Sequence, residues 1–322
     1  MRRVLKGMLV CLLLVIGGIA LGPRVTLEEP SGPTWSLPAE VQAPQEVAAW
    51  LAVQEAKVPT IREGLASQIH IAQPDAPAPT SRVLLFLHGF SASPLEVSPT
   101  FELTAAAQGA NLMMMRLNGH GVSEEEMGAG KARAWMEDAE NALVVAQRLG
   151  QKVVVAGSST GASLALWLAS RHPELEAVVL LSPNFGPKDP RSSLLLAPWG
   201  LQLLKLILGE RRTWKPNNAL VAARFTPSYP VDVLPQMMLV VQQLTPELLA
   251  KVQQPTLMLY SPHDTVLDTT LMAPRFAQLG AAQKKLVVLD DVKQHVLAGD
   301  AHAPEATVRV VGEITSFLQE LP

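Results

Sequence analysis

Residues 152–170 read KVVVAGSSTGASLALWLAS. Residues 153–156 form an uncharged apolar run, which is typical of a strand buried on both faces. The pattern Gly-x-Ser-x-Gly follows at 157–161, and residues 162–170 have the composition of a helix. Small residues around the central serine suit a tight strand-to-helix turn, in which the backbone is crowded. The stretch therefore predicts an exposed Ser159 at a helix N-terminus, and the glycine spacing favours it over Ser158.

Around this stretch, short apolar runs alternate with longer amphipathic segments from residue 81 to the end of the chain. We expect strands at 67–72, 82–89, 111–119, 152–157, 177–182, 256–261 and 285–290, and helices at 95–108, 133–149, 162–170, 269–279 and 305–318. Such alternation is typical of a mostly parallel sheet with helices on both faces. The sequence therefore predicts a doubly wound α/β domain over residues 61–322.

The alternation is interrupted over residues 184–254, which contain strongly apolar segments of helical period at 193–209 and 233–244. This insertion comes just after the strand that follows Ser159. It is therefore expected to overhang the carboxyl ends of the strands, where parallel sheets bind their ligands. We interpret it as a helical lid, and the alternative is that its helices simply pack on the main sheet.

A serine hydroxyl becomes a good nucleophile only when a base accepts its proton and a carboxylate holds that base. Around a serine in this kind of turn, the expected chain order is serine, acid, histidine. Asp264 follows the strand at 256–261 and His295 follows the strand at 285–290, so both are expected at the sheet edge that carries Ser159. The sequence thus predicts a triad of these three residues. The alternatives are His302 for the base, and Asp268, Asp290 and Asp291 for the acid.

Such a triad also requires backbone N–H donors for the developing oxyanion. One comes from the residue after the nucleophile and another from the loop after an earlier strand. This identifies Thr160 and Phe90, the latter in the loop HGFSASP at 88–94. His88 and His120 also lie in loops that follow strands. We interpret both as hydrogen-bonding residues of the loops.

Composition excludes several other classes of protein. With 48% hydrophobic and 17% charged residues the chain is globular rather than disordered. A net charge of −3 offers no basic field for nucleic acid. The one cysteine, Cys11, cannot close an intrachain disulfide or supply a pair of zinc thiolates. We expect no metal, no organic cofactor and no obligate protein partner.

The N-terminal residues 1–22 have the pattern of a targeting segment. Arg2, Arg3 and Lys6 precede an uncharged stretch at 7–23, whose 17 residues would span about 26 Å as a helix. This length fits a short membrane anchor or a long signal peptide. We favour an uncleaved anchor in the inner membrane. Because positive charge precedes the stretch, the domain should lie on the periplasmic side, or be secreted if the segment is cleaved.

Residues 23–60 contain six prolines and are expected to be an extended spacer with one helix at 45–56. Such a spacer would hold the domain off the bilayer.

The motifs taken together resemble the α/β-hydrolases of the monoacylglycerol lipase, carboxylesterase and serine aminopeptidase-like branch, in particular bacterial membrane-anchored hydrolases. The segments that carry the resemblance are HGFSAS at 88–93, RLNGHG at 116–121, GSSTGAS at 157–163, SPHDTV at 261–266 and QHVLAGD at 294–300. It covers residue 81 to the end of the chain. The resemblance implies an α/β-hydrolase fold and the triad Ser159, Asp264 and His295. One departure is Ala162, where this group usually has a second glycine.

The expected activity is hydrolysis of a small-molecule ester, with an acyl or lipid ester as the first candidate because the insertion and the N-terminal segment are apolar. Two alternatives stay open. The first is amide cleavage of the aminopeptidase kind, in which Glu124, Glu125 or Glu126 would capture a substrate amine. The second is a non-catalytic scaffold of the same fold.

Overall fold

A computed structural model describes residue 18 and residues 21–321. In this part of the chain there are nine strands: β1 (Gln68–His70), β2 (Thr80–Leu87), β3 (Asn111–Met115), β4 (Gly150–Ser158), β5 (Ala177–Leu181), β6 (Arg211–Thr213), β7 (Ser228–Pro230), β8 (Thr256–Tyr260) and β9 (Lys284–Val288). Seven of them form one sheet in the order β1-β3-β2-β4-β5-β8-β9. All neighbours pair in parallel except β1, which is antiparallel to β3. The mostly parallel sheet predicted from the sequence is therefore confirmed.

The helices in the same part of the chain are α1 (Pro44–Glu55), α2 (Thr100–Gln108), α3 (Glu124–Ala129), α4 (Ala132–Leu149), α5 (Thr160–Ala169), α6 (Gly200–Leu208), α7 (Ala219–Arg224), α8 (Leu234–Gln242), α9 (Pro246–Leu249), α10 (Met272–Ala277) and α11 (Pro304–Gln319). Short 3₁₀ turns occur at Pro190–Leu196, Val231–Val233 and Thr269–Leu271. The predicted helix at 95–108 begins only at residue 100. Pro99 precedes it, and a proline disfavours helical backbone in the residue before it.

The strands are apolar on both faces because each face is covered. In β2, Leu85 and Leu87 face one cluster with α4, α5 and α8, whereas Leu84 and Phe86 face a second cluster with α2 and α11. This alternation follows from the two-residue period of a strand. The sheet therefore holds the carboxyl end of β4, with Ser159 just beyond it, in a rigid three-layer frame.

The predicted spacer is partly built into the domain. Helix α1 buries Val47 and Leu51 in the first core cluster. Upstream, the N–H groups of Thr34 and Trp35 both donate to Asn141 Oδ1 on α4, each at 2.8 Å. Apolar and hydrogen-bonding groups in this proline-rich stretch therefore tie it to the domain, instead of leaving it as an extended spacer.

The insertion at 184–254 contains helices, as predicted, and also a short antiparallel pair of strands, β6 and β7, that the sequence pattern did not reveal. Its two apolar segments have different environments. Helix α8 is buried against α5 and α4 through residues such as Leu239 and Val240. Helix α6 exposes Leu206 and Ile207 to solvent. Of these two helices, α8 packs on the helices that cover the main sheet.

The predicted N-terminal membrane helix lies outside the described residues, apart from residues 18, 21 and 22. Within the part of the chain that the structure describes, no helix has both the length and the hydrophobicity that a membrane crossing requires.

Candidate active site

Ser159 sits at the turn between β4 and α5 in a strained backbone conformation, with φ 52° and ψ −118°. The neighbouring glycines have no room for a side chain. A Cβ on Gly157 would lie 2.3 Å from the Gly161 carbonyl oxygen, and a Cβ on Gly161 would lie 2.0 Å from that of Leu87. The Ser159 N–H donates to Leu181 O at 2.9 Å, which anchors the turn to β5. The local sequence therefore forms the tight turn that the Gly-x-Ser-x-Gly pattern predicts.

Asp264 and His295 meet at the same edge of the sheet. His295 Nδ1 and Asp264 Oδ2 are 2.6 Å apart, so Nδ1–H donates and the ring's Nε2 is left to accept a proton. The other carboxylate oxygen, Oδ1, accepts the N–H groups of Val266 at 2.7 Å and Leu267 at 3.0 Å. The turn after β8 thus fixes the carboxylate, and the carboxylate fixes the imidazole.

These contacts also determine the charge of Asp264. Burial on its own would raise its pKa, but the hydrogen bond and charge of His295 and the two backbone N–H groups outweigh burial. The net effect is a pKa below the ordinary value of an aspartate, so the carboxylate is ionised at neutral pH.

The structure pairs none of the alternative acids with His295. Asp268 caps the turn at Thr269–Leu271 by accepting the Thr270 N–H at 3.0 Å, and Asp291 pairs with Arg309. Asp290 is exposed.

The alternative base, His302, lines the same cavity as Ser159 but packs its ring against Phe225, with centroids 5.0 Å apart. Its Nε2 has no hydrogen-bond partner in the described part of the chain. Burial, together with smaller electrostatic effects of His295 and Arg224, lowers its pKa to about 4. Unlike His295, His302 makes no hydrogen bond to a carboxylate among the described residues.

The loop that carries Phe90 is held on both sides of that residue. The Gly89 N–H donates to Glu96 Oε2 at 2.7 Å, and the Ser91 N–H donates to His120 Nε2 at 3.2 Å. Phe90 and Thr160 both line the cavity that contains Ser159. The arrangement brings the two predicted oxyanion donors to one site.

Both loop histidines are buried hydrogen-bonding residues. His88 Nδ1 donates to Gly89 O at 2.9 Å while its Nε2 accepts the Leu117 N–H at 3.1 Å. His120 Nδ1 donates to Asn118 O at 3.1 Å. Burial lowers the pKa of each, to about 4 for His120, so both rings are neutral at physiological pH.

One buried acid beside the nucleophile was not predicted. Glu96 is only 2% exposed, lines the cavity, and hydrogen bonds to the Ser158 side chain in addition to the Gly89 N–H. Burial raises its pKa to about 7, although the Gly89 N–H, His295 and Ser158 act in the opposite direction. The sequence signal was weak, because the pattern predicts residue 96 in the first turn of a helix, where a glutamate is normally solvated.

The cavity has a volume of about 660 Å³ and runs from Ser159 and His295 to the insertion. Its insertion side is mostly apolar, with Leu195, Leu203, Leu204, Ile207, Trp214, Phe225 and Met237. Lys188, Arg191 and Arg212 lie at its more polar edge, accompanied by Asp189. A cavity of this size with a mostly apolar lining is typical of a small-molecule site.

The three glutamates considered for amine capture have other partners. Glu124 and Glu125 pair with Arg211, and Glu126 closes a capping box with Ser123 at the start of α3. None of them is among the residues that line the cavity. As for metals, the described residues contain no group of three or more His, Cys, Asp or Glu side chains that could hold an ion.

Comparison with known proteins agrees with this architecture. A family profile described as "Serine aminopeptidase, S33" matches residues 78–301, which is more than half of the chain. A curated thermostable monoacylglycerol lipase from Bacillus sp. (strain H-257) is 32% identical over 96 residues, which is 30% of this chain and 38% of the lipase. The chain thus matches well under half the length of that relative.

Two solved structures have a similar fold. The first is described as "LipS and LipT, two metagenome-derived lipolytic enzymes increase the diversity of known lipase and esterase families". It has a TM-score of 0.66 at 19% identity and covers 81% of this chain and 100% of its own. The second is a monoacylglycerol lipase of Paleococcus ferrophilus, with a TM-score of 0.60 at 17% identity, covering 79% of this chain and 99% of its own. At these identities the similarity establishes the fold, which is that of an α/β-hydrolase.

Proposed function

Because the chain belongs to the serine aminopeptidase (S33) family, we propose that it is a serine hydrolase that cleaves carboxylic esters, with Ser159, His295 and Asp264 as its catalytic triad. The observation that carries this proposal is the hydrogen bond between His295 Nδ1 and Asp264 Oδ2 at 2.6 Å, in the wall of the cavity that contains Ser159. No other candidate acid contacts His295. A base oriented in this way leaves Nε2 free to take the serine proton.

In the proposed reaction, Ser159 Oγ bonds to the ester carbonyl carbon while its proton passes to His295 Nε2. The carbonyl electron pair moves to the oxygen, which the N–H groups of Phe90 and Thr160 stabilise. Collapse of this intermediate breaks the carbon–oxygen bond of the ester, and the leaving alkoxide takes the proton from His295. Water then attacks the acyl-enzyme by the same route, which releases the acid and restores Ser159.

We further propose an acyl or lipid ester as the substrate. The apolar insertion side of the cavity supports this proposal, as do the relatives described as monoacylglycerol lipases. In this proposal the insertion serves as a lid, because its residues Leu203 and Ile207 line the cavity opposite Ser159.

The proposed location is the membrane surface, with residues 1–22 as anchor and the domain on the periplasmic side. The exposed face of α6 supports it: Leu206 is 84% and Ile207 67% exposed, next to the cavity. Trp199, just before α6, donates its backbone N–H to Pro23 O at 2.9 Å and its Nε1–H to Gly18 O at 3.2 Å. The described residues Gly18 and Pro23 therefore contact the domain beside this apolar face, and we propose that one bilayer receives both the face and the anchor.

We test the proposed activity with the purified full-length chain on p-nitrophenyl esters of two to sixteen carbons and on aminoacyl anilides. We expect ester turnover that peaks at one chain length, because the cavity has a finite apolar depth. Faster cleavage of anilides would favour the amide hydrolase. Absence of turnover on both series, with no covalent labelling by a fluorophosphonate, would favour the non-catalytic scaffold.

The membrane proposal predicts the effect of a charge on α6. We expect Leu206→Glu to lower the rate on monoacylglycerol in phosphatidylcholine vesicles by about 10- to 100-fold, because one buried leucine contributes roughly 1.5–3 kcal/mol. Hydrolysis of soluble p-nitrophenyl acetate should not change, since Leu206 does not line the cavity. The matched control is Val308→Glu on α11, an equally exposed apolar residue at 79%. Equal rates for both variants on vesicles would contradict the proposal.

A further inference from the structure

Glu96 lies where the two loops of the candidate site meet. Its carboxyl accepts the Gly89 N–H from the loop after β2 and hydrogen bonds to the Ser158 side chain at the end of β4. Each of these partners directly precedes a residue of the oxyanion site or the nucleophile, namely Phe90 and Ser159. One buried side chain thus connects the segments that must keep a fixed distance during the reaction.

The packing around this carboxyl is close. A Cβ on Gly89 would lie 2.8 Å from Glu96 Oε1 and 3.1 Å from Ser159 Cβ. The glycine is therefore what lets the carboxyl and the nucleophile approach the same peptide. Such close packing leaves little freedom for the peptide between Gly89 and Phe90.

We propose that Glu96 is a positioning residue, whose carboxyl holds Gly89 and Ser158 so that the Phe90 N–H points at the developing oxyanion. The inference rests on the proposed ester hydrolysis and assigns Glu96 no contact with the substrate. An oxyanion donor acts efficiently only when it is held in place before the charge develops. With the Gly89 N–H and the Ser91 N–H both occupied, the peptide that bears the Phe90 N–H cannot rotate freely.

The charge of Glu96 is compatible with this role. The titratable group that faces it is His295, and its other partners, Gly89 and Ser158, are neutral. Because burial raises the pKa of Glu96 to about 7, a substantial part of the protein carries the neutral acid at neutral pH. A neutral acid places no repelling charge next to the oxyanion, and its carbonyl oxygen still accepts the Gly89 N–H.

The test compares two variants of the full-length chain on a soluble p-nitrophenyl ester. Glu96→Leu roughly keeps the side-chain volume but removes the hydrogen-bond acceptor. We therefore expect kcat to fall about 10²-fold with KM within twofold. Glu96→Gln keeps an oxygen acceptor, so we expect kcat within about fivefold of the original chain. A trifluoromethyl ketone, which forms an oxyanion on the serine, should lose affinity for Glu96→Leu in parallel with kcat/KM.

The control is Glu140→Ala. Glu140 is a buried carboxylate that pairs with Arg171 and His172 away from the cavity. We expect it to lower the thermal midpoint without changing kcat.

The outcomes separate this inference from the proposed function. If Glu96→Leu keeps kcat within twofold, or if a folded Glu96→Gln loses as much as Glu96→Leu, the positioning role is wrong. Should Glu96→Leu fail to fold, Glu96→Gln still decides, because a folded and inactive amide overturns the role. A wild-type chain without serine-dependent turnover overturns both the proposed function and this inference.

Discussion

Replacing Ser159 with alanine is expected to reduce kcat for a p-nitrophenyl ester by about 10⁵- to 10⁶-fold. In the proposed reaction the Ser159 hydroxyl is the group that forms the acyl bond. The Ser158 side chain is bonded to Glu96 and does not line the cavity. The residual rate should come from binding and the oxyanion donors acting on attack by water.

Initial rates and covalent labelling by a fluorophosphonate measure this effect. Ser159→Ala should abolish the labelling, whereas Ser158→Ala should keep it. The matched control is Ser170→Ala at the far end of α5, where the hydroxyl only donates to Trp167 O at 2.7 Å. It should leave both measurements unchanged. Labelling that persists in Ser159→Ala and disappears in Ser158→Ala would show that Ser158, and not Ser159, is the nucleophile.

Replacing Asp264 with asparagine is expected to lower kcat by about 10⁴-fold, with little change in KM. An amide NH₂ at this position would donate to His295 Nδ1 and so move the ring proton to Nε2. That nitrogen could then no longer accept the Ser159 proton. The N–H groups of Val266 and Leu267 would still hold the amide oxygen, so the geometry should persist while the tautomer changes.

The pH dependence supplies a second measurement for Asp264. Since its pKa is depressed in the folded chain, its contribution to stability is present above the ordinary aspartate pKa. That contribution is lost as the pH falls through the folded value. The free energy of unfolding of Asp264→Asn should therefore vary less than that of the original chain between about pH 5 and pH 2. Asp268→Asn, which changes only a turn cap, is the control for both measurements. A kcat for Asp264→Asn within tenfold of the original would rule out the proposed orienting role.

The sequence was sufficient for features that depend on neighbouring residues. The apolar runs predict strands, because a strand covered on both faces must be apolar throughout. The glycines around Ser159 predict the turn, because no other side chain fits there. The order of strands and helices along the chain then predicts a mostly parallel sheet, with Asp264 and His295 at the edge that carries Ser159.

Tertiary structure was needed wherever the outcome depends on residues far apart in the chain. The sequence left several acids open, and only the path of the turn after β8 brings the Asp264 carboxylate to His295. The two apolar helices of the insertion have the same helical period of apolar residues, yet α8 is buried and α6 is partly exposed. Burial depends on whether another part of the domain packs against the apolar face of the helix.

Glu96 is the clearest example of a residue whose environment could not be predicted from the sequence. Its sequence context predicts a solvated residue in the first turn of a helix, and its proposed role as a link between two loops arises only when β2 and β4 pair in parallel. That pairing places Gly89 and Ser158 on either side of one buried carboxyl. Local sequence thus determined the elements and the nucleophile turn of this protein. The tertiary fold determined which charged groups are buried and which of them pair, because desolvation and pairing are properties of the assembled core.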